Sequence, residues 1–161
     1  MILKSIMALF FIFLSLFFPK QIVAQENSSL YFHTSIYTTH YTPRDYHNNH
    51  QNLMGIEYHY QENKLKGISH FLNSYKQPTW YIYSGRYYPL FEMGGFDFNA
   101  KLTYGIIHGY DDEDGEHSTW MHNMGTFPGF VFGFGIERGP YKLEIHPFAD
   151  AGLITTIGIE F

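Results

Sequence analysis

"GFDFNAKLTYGI" (95–106) decides how this chain folds. Phe96, Phe98, Ala100, Leu102, Tyr104 and Ile106 fall on one face of an extended chain. Gly95, Asp97, Asn99, Lys101, Thr103 and Gly105 fall on the other. A period of two marks a strand, and its length suits a tilted crossing of a bilayer. The pattern recurs downstream. Phe130, Phe132, Phe134 and Ile136 alternate with Val131, Gly133, Gly135 and Glu137. Tyr141, Leu143 and Ile145 alternate with Lys142, Glu144 and His146. Leu153, Thr155, Ile157, Ile159 and Phe161 alternate with Ile154, Thr156, Gly158 and Glu160.

A soluble sandwich also alternates, but its polar face meets water and is rich in Lys and Glu. Here the second face is Gly, Thr, Asn and a few opposite charges. That composition suits a narrow lumen, where Gly makes room and charges pair. The lumen charges are expected to be Glu57, Arg86, Asp97, Lys101, Glu137, Lys142, Glu144 and Glu160. The chain ends on Phe161, an aromatic at the close of a strand. Tyr58, Tyr60, Tyr81, Tyr83, Tyr87 and Tyr88 are expected to form aromatic girdles at the membrane interfaces. The expected fold is all-β, an eight-stranded antiparallel up-and-down transmembrane β-barrel. Its strands are placed near 29–41, 52–60, 65–73, 79–88, 94–107, 127–138, 140–147 and 152–161. Both faces of 65–73 are mixed, so its facing stays open. Short turns are expected at 61–64, around 89–94 and at 138–140. Longer connections at 42–51, 74–78 and 108–123, with a short link near Ala149, lie at the other end.

Residues 1–24 read as a cleaved signal peptide: a short basic start, an apolar run over 5–18 and small side chains before a cut near Ala24. The run is too short to be a comfortable membrane anchor. Residues 25–161 then form the barrel, in the outer membrane of a Gram-negative bacterium. There is no Cys, so neither a disulfide nor an N-terminal lipid anchor on Cys is available. A net charge of -5 and the absence of a basic stripe argue against nucleic acid as a partner. A monomer is expected.

Four stretches, in this order, resemble one family. "LYFHTSIY" (30–37) is similar to a first strand with an aromatic-His pair. "GISHFLNSYKQPTWYIYSGRYYPL" (67–90) is similar to a segment with an Asp-Ser pair followed by aromatics. "PGFVFGFGIERGPYKLEIHPF" (128–148) is similar to a hairpin with a proline at each outer end, and "IGIEF" (157–161) to a closing strand. Together they resemble the PagP-type lipid A palmitoyltransferases, outer-membrane barrels that move an acyl chain from phospholipid to lipid A. The resemblance implies phospholipid and lipopolysaccharide (lipid A) as partners and no cofactor. It implies catalytic positions at His33, Asn73 and Ser74, with Asn73 standing where the family has Asp. The family's amphipathic helix before the barrel is replaced by "QENSS" (25–29). The chain also resembles small barrels described as sn-glycerol-3-phosphate transporters.

Each candidate has a plainer reading beside it. Acyl transfer needs a base to polarise a hydroxyl and a donor for the oxyanion. His33 and Ser74 supply the first pair, but Asn73 cannot accept a proton as Asp does. Asn73, Ser74 and Pro78 equally spell a turn. "HNNH" (47–50) lacks the Cys or carboxylate of a firm metal site and reads as loop. Asp111, Asp112, Glu113, Asp114 and Glu116 lack calcium-loop spacing and read as a solvated acidic loop that could gather divalent cations. Pro128 and Pro147, at neighbouring strand ends, lack an N–H for the ladder. They either end their strands or open a gateway for a lipid tail. A non-enzymatic surface-interaction barrel and a small-solute transporter remain the alternatives, and a narrow lumen disfavours the second.

Overall fold

The computed structural model describes residues 28–61, 63–112, 119–148 and 152–161. The signal segment, Glu113, Asp114 and Glu116 of the acidic loop, and Ala149 lie outside the described residues. The strands are β1 Ser29–His40, β2 Met54–Tyr60, β3 Lys64–Leu72, β4 Pro78–Met93, β5 Phe96–His108, β6 Thr126–Arg138, β7 Tyr141–Phe148 and β8 Gly152–Glu160. One short helix, α1 Trp120–Met124, precedes β6. Each strand pairs antiparallel with its sequence neighbour, and β8 closes onto β1, giving a closed eight-stranded up-and-down barrel. Both described chain ends and the short turns share one end of the barrel. The long connections share the other, the loop end.

Alternation sets the two faces as the sequence implies. On β6, Phe130, Phe132 and Phe134 point outward, and Phe130 is 76% exposed. Glu57 and Glu144 point inward and are each 1% exposed. Water would favour the opposite arrangement, and an exposed apolar belt of this size marks a surface made for another phase. The exterior therefore fits a membrane protein that crosses with strands. No described helix is long and apolar enough to cross.

β4 differs from expectation in two ways. It continues to Met93 through a register shift between Pro89 and Phe91, so the turn shrinks to Gly94 and Gly95. Both glycines have positive φ (64° and 76°), as a tight two-residue hairpin turn requires. Its facing also corrects two expectations. Tyr81, Tyr83 and Tyr87 are buried inside rather than in a girdle, and Arg86 is exposed on the outer face rather than in the lumen. Strand parity permits only one set inside. The phenols win because their hydroxyls meet lumen partners: Tyr83 donates to Glu57 (2.7 Å), Tyr87 to Glu144 (3.0 Å) and Tyr81 to Thr103 (3.0 Å). Tyr58, Tyr60 and Tyr88 do face outward. Asp97 lies on the inward parity but is exposed at the mouth of the chain-termini end.

The facing of β3 follows from the same ring. Leu65 and Ser69 are buried inside and Ile68 lies outside. Gly67 sits beneath the Tyr83 ring, where an added Cβ would meet that ring at 2.5 Å. Tyr83 cannot step aside freely. It stacks on Tyr81 at 4.5 Å and its hydroxyl holds Glu57. Gly67→Ala is therefore expected to cost about 1–3 kcal/mol, the usual penalty of overpacking. The readout is a lowered urea midpoint for loss of the folded, heat-modifiable gel band. An unchanged midpoint would mean that Tyr83 is loosely held.

The middle of the lumen is filled by a polar network, beyond which a cavity of ≈ 730 Å³ opens at the chain-termini end. Lys101 Nζ lies 2.9 Å from Glu57 Oε1 and 2.9 Å from Glu144 Oε2. The Tyr31 hydroxyl donates to Glu144 (3.2 Å), and His59 Nε2 lies 2.9 Å from Glu57. Lys142 pairs with Glu137 (3.0 Å) and with Glu160. Towards the loop end the filling turns apolar, with Tyr81, Ile107 and Phe127 among its core.

Candidate functional site

The structure separates His33 from Ser74. His33 lies inside the barrel, stacked on Tyr31 (5.2 Å), with Nε2 3.4 Å from the Tyr83 hydroxyl and 3.9 Å from Glu57. Seven residues further along β1, roughly 20 Å at strand rise, His40 meets the serine instead. Its Nε2 is 3.0 Å from Ser74 Oγ and its Nδ1 is 2.8 Å from Asn49 Oδ1.

A β-bulge puts His40 there. β1 shifts register between Ser35 and Tyr37. Before the shift, Tyr31 and His33 face inward; after it, Thr38 and His40 do. One extra residue switches the parity of a strand. Without the bulge, His40 would point out of the barrel.

The hydrogen bonds suit one tautomer of His40. Asn49 Nδ2 donates to the Tyr37 hydroxyl (3.3 Å), which leaves its Oδ1 as the acceptor facing His40. In that tautomer Nδ1–H of His40 donates to Asn49 Oδ1. Nε2 is left bare to accept the Ser74 hydroxyl proton. This is the order of groups in a nucleophile, base and orienter array, with a neutral amide as orienter. His47 stacks on His40 at 4.2 Å. Its pKa is pushed below the ordinary histidine range, first by burial and then by the basic neighbours His40 and Arg44.

Asn73 has a different task. It is 1% exposed, and its Oδ1 accepts from the backbone N–H groups of Tyr75 (2.8 Å) and Gln77 (3.1 Å). Its Nδ2 donates to Gln77 Oε1 (3.1 Å). The amide is spent on the turn that presents Ser74. The "HNNH" segment braces the same turn. Asn48 donates its backbone N–H to Ser74 O (2.9 Å) and its side chain to Asn73 O (3.2 Å). His50 turns away to meet the edge of Tyr37 (5.4 Å). Among the described residues no three His, Asp or Glu converge as metal ligands.

Below this site lies a narrow cavity of ≈ 50 Å³. It runs from Leu53 and Phe71, two residues before Asn73, across to Val131, His146 and Phe148. Its far side meets a break in the barrel wall. The ladder between β6 and β7 runs from Arg138↔Tyr141 to Phe134↔Ile145 and stops. Beyond it, Pro128 pairs only with β5 and Pro147 only with β8. Continuing the register would place Phe132 opposite Pro147, which has no N–H to give. The gap between β1 and β3 at the same level is closed. There Ser35 N bonds Leu53 O (3.4 Å), Thr38 N bonds Asn49 O (2.9 Å) and Leu72 N bonds Gln51 O (2.7 Å).

Sequence reasoning missed His40 and Asn49. Asn49 stands in the "HNNH" segment and His40 near the end of the first expected strand, but only the bulge and the folded loop bring them to Ser74. No protein-family model matches the chain, and no curated protein matches it either.

Proposed function

We propose that the chain is a Gram-negative outer-membrane barrel that transfers an acyl chain from phospholipid to lipid A at Ser74. The observation that carries this reading is the Ser74–His40–Asn49 array at the loop end. In the first step the Ser74 Oγ–H proton passes to His40 Nε2 while Oγ bonds the ester carbonyl carbon. The ester C–O bond then breaks, and the leaving alkoxide takes the proton from His40. In the second step a lipid A hydroxyl gives its proton to His40 and attacks the acyl-serine; the ester bond to Ser74 breaks, and the departing Oγ takes that proton back from His40. Asn49 holds the imidazole in the tautomer that both steps need.

Two further features support the reading. The break between β6 and β7 gives a lipid tail a side way in from the bilayer. The cavity runs from that break, past His33, to Phe71, two residues before the Asn73–Ser74 turn. A tail would lodge there by displacing the half-buried rings of Phe71 and Phe148. The transporter alternative has less support, because Lys101, Glu57 and Glu144 close the lumen.

The test uses mixed micelles of phospholipid and lipid A, in which the protein should add one acyl chain to lipid A. The gap is tested in the same assay. Phe132→Cys and Pro147→Cys, introduced together into this cysteine-free chain, are joined with a bifunctional thiol reagent. Transfer should fall at least tenfold when they are joined, and the unjoined double variant should remain active. Full activity with the strands tied would exclude the break as the route.

A further inference from the structure

Three carboxylates stand side by side at the chain-termini end of the barrel. The register pairs Glu92 of β4 with Asp97 of β5, and Asp97 with Glu137 of β6. Directly paired residues share a face, so all three lie on the inner side of the wall. Each borders the cavity of ≈ 730 Å³. Side chains so paired have Cβ atoms about 4.5–5.5 Å apart, and like charges there destabilise the sheet.

The cations at hand do not cover this row. Lys142 Nζ is shared between Glu137 (3.0 Å) and Glu160. His59 turns Nδ1 to Glu160 (3.3 Å) and Nε2 to Glu57 (2.9 Å). Arg138, beside Glu137, lies over the Phe96 ring instead, 5.0 Å from its centre. Glu92 and Asp97 make no ion pair among the described residues.

A further acceptor is left open on the wall of the same cavity. Asn99, two residues along β5 from Asp97, is 6% exposed. Its Oδ1 has no hydrogen-bond partner among the described residues. Gly135, opposite on β6, makes room for the amide: an added Cβ there would meet Oδ1 at 2.5 Å. Buried acceptors are rarely left without a donor. The carboxylates and this amide oxygen all call for N–H groups. Among the described residues no three His, Asp or Glu converge as metal ligands. The row therefore suits donors spaced along a chain better than one point ion. Leu90 and Phe91 border the same cavity and offer an apolar wall between the polar groups.

We infer that this vestibule binds an aliphatic polyamine. Its ammonium groups meet Glu92 and Asp97, one of them reaches the Asn99 amide oxygen, and its methylenes lie against Leu90 and Phe91. Cation between the carboxylates relieves their repulsion. The cavity has the size of a small-ligand site, about 300–1,000 Å³. It ends on His59, Tyr87 and Lys142, so the amine is held there and not passed through. The site lies at the opposite end of the barrel from Ser74 and does not depend on the acyl-transfer reading.

The experiment is equilibrium dialysis of labelled spermidine against the barrel folded in nonionic detergent micelles. The wild type should bind it saturably, and magnesium at the same concentration should displace far less than unlabelled spermidine does. Glu92→Gln and Asp97→Asn should each weaken binding roughly threefold, the effect of about one exposed ion pair, and together about tenfold. Asn99→Ala should weaken it at least threefold. Neither exposed carboxylate supports the fold, so Glu92→Gln and Asp97→Asn should keep the wild-type urea midpoint. Asp45→Asn with Asp112→Asn removes the same charge at the loop end and should leave binding intact. Absence of saturable binding by the wild type would overturn the inference, as would displacement by magnesium as readily as by spermidine. Undiminished binding in the Glu92–Asp97 double variant or in Asn99→Ala would also overturn it. So would equal loss in the loop-end control, or a lowered urea midpoint in Asp97→Asn, which would give that carboxylate a structural partner.

Discussion

Lys101→Met is expected to be the most destabilising single change in the lumen. Lys101 is 3% exposed and stands between Glu57 and Glu144, 2.9 Å from each. Both carboxylates are out of reach of solvent. Lys142, the other lumen cation, is already held by Glu137 and Glu160. Methionine fills much of the same volume but leaves two negative charges facing each other without a cation between them. Removing one partner of a buried pair costs about 3–5 kcal/mol, against about 5–15 kcal/mol for a whole domain. The tyrosine hydroxyls on Glu57 and Glu144 soften that loss without cancelling charge. Adding Glu57→Gln and Glu144→Gln to Lys101→Met should therefore recover part of the stability. Urea unfolding of the barrel in detergent micelles measures both variants. A single variant as stable as the wild type would mean that water reaches the network.

The second large effect separates two histidines. Ser74→Ala and His40→Ala should each reduce acyl transfer by about 10⁴ or more, as removal of a nucleophile or its base does in comparable arrays. Each leaves the polar network of the lumen untouched, so the barrel should still fold. His33→Ala should keep the transfer rate, because His33 lies deep among Tyr31, Tyr83 and Glu57. Asn49→Ala should fall in between, since the imidazole loses its orienting acceptor but not its position on β1. Asn73→Asp should not raise transfer. It would place a carboxylate against Gln77 Oε1, where the amide Nδ2 now donates. A silent His33→Ala beside an active His40→Ala, with both barrels folded, would reverse the assignment.

The barrel was legible because its signal is periodic. The alternation over 95–106 and in the last three strands fixed both the fold class and the facing of those strands. It failed where period two is ambiguous or interrupted. Along β4 every second position is polar enough for either side, so Arg86 and Tyr87 could not be told apart until Glu144 and Lys101 supplied partners for the phenol. Along β1 the extra residue at the bulge inverts the pattern. The resemblance alone singled out His33, and no local pattern singled out His40. Asn49 was hidden for a related reason. Its role depends on a loop folding back over β1, and no local spacing encodes that. Of the two readings of Asn73 and Ser74, the turn is the one that the hydrogen bonds of Asn73 display.

The measurement that tests the central claim most directly is the mass of lipid A from outer membranes carrying the wild-type protein, beside those carrying folded Ser74→Ala. The account expects lipid A heavier by one acyl chain in the first and unmodified lipid A in the second. Unmodified lipid A in both, with the wild-type barrel folded and inserted, would contradict it.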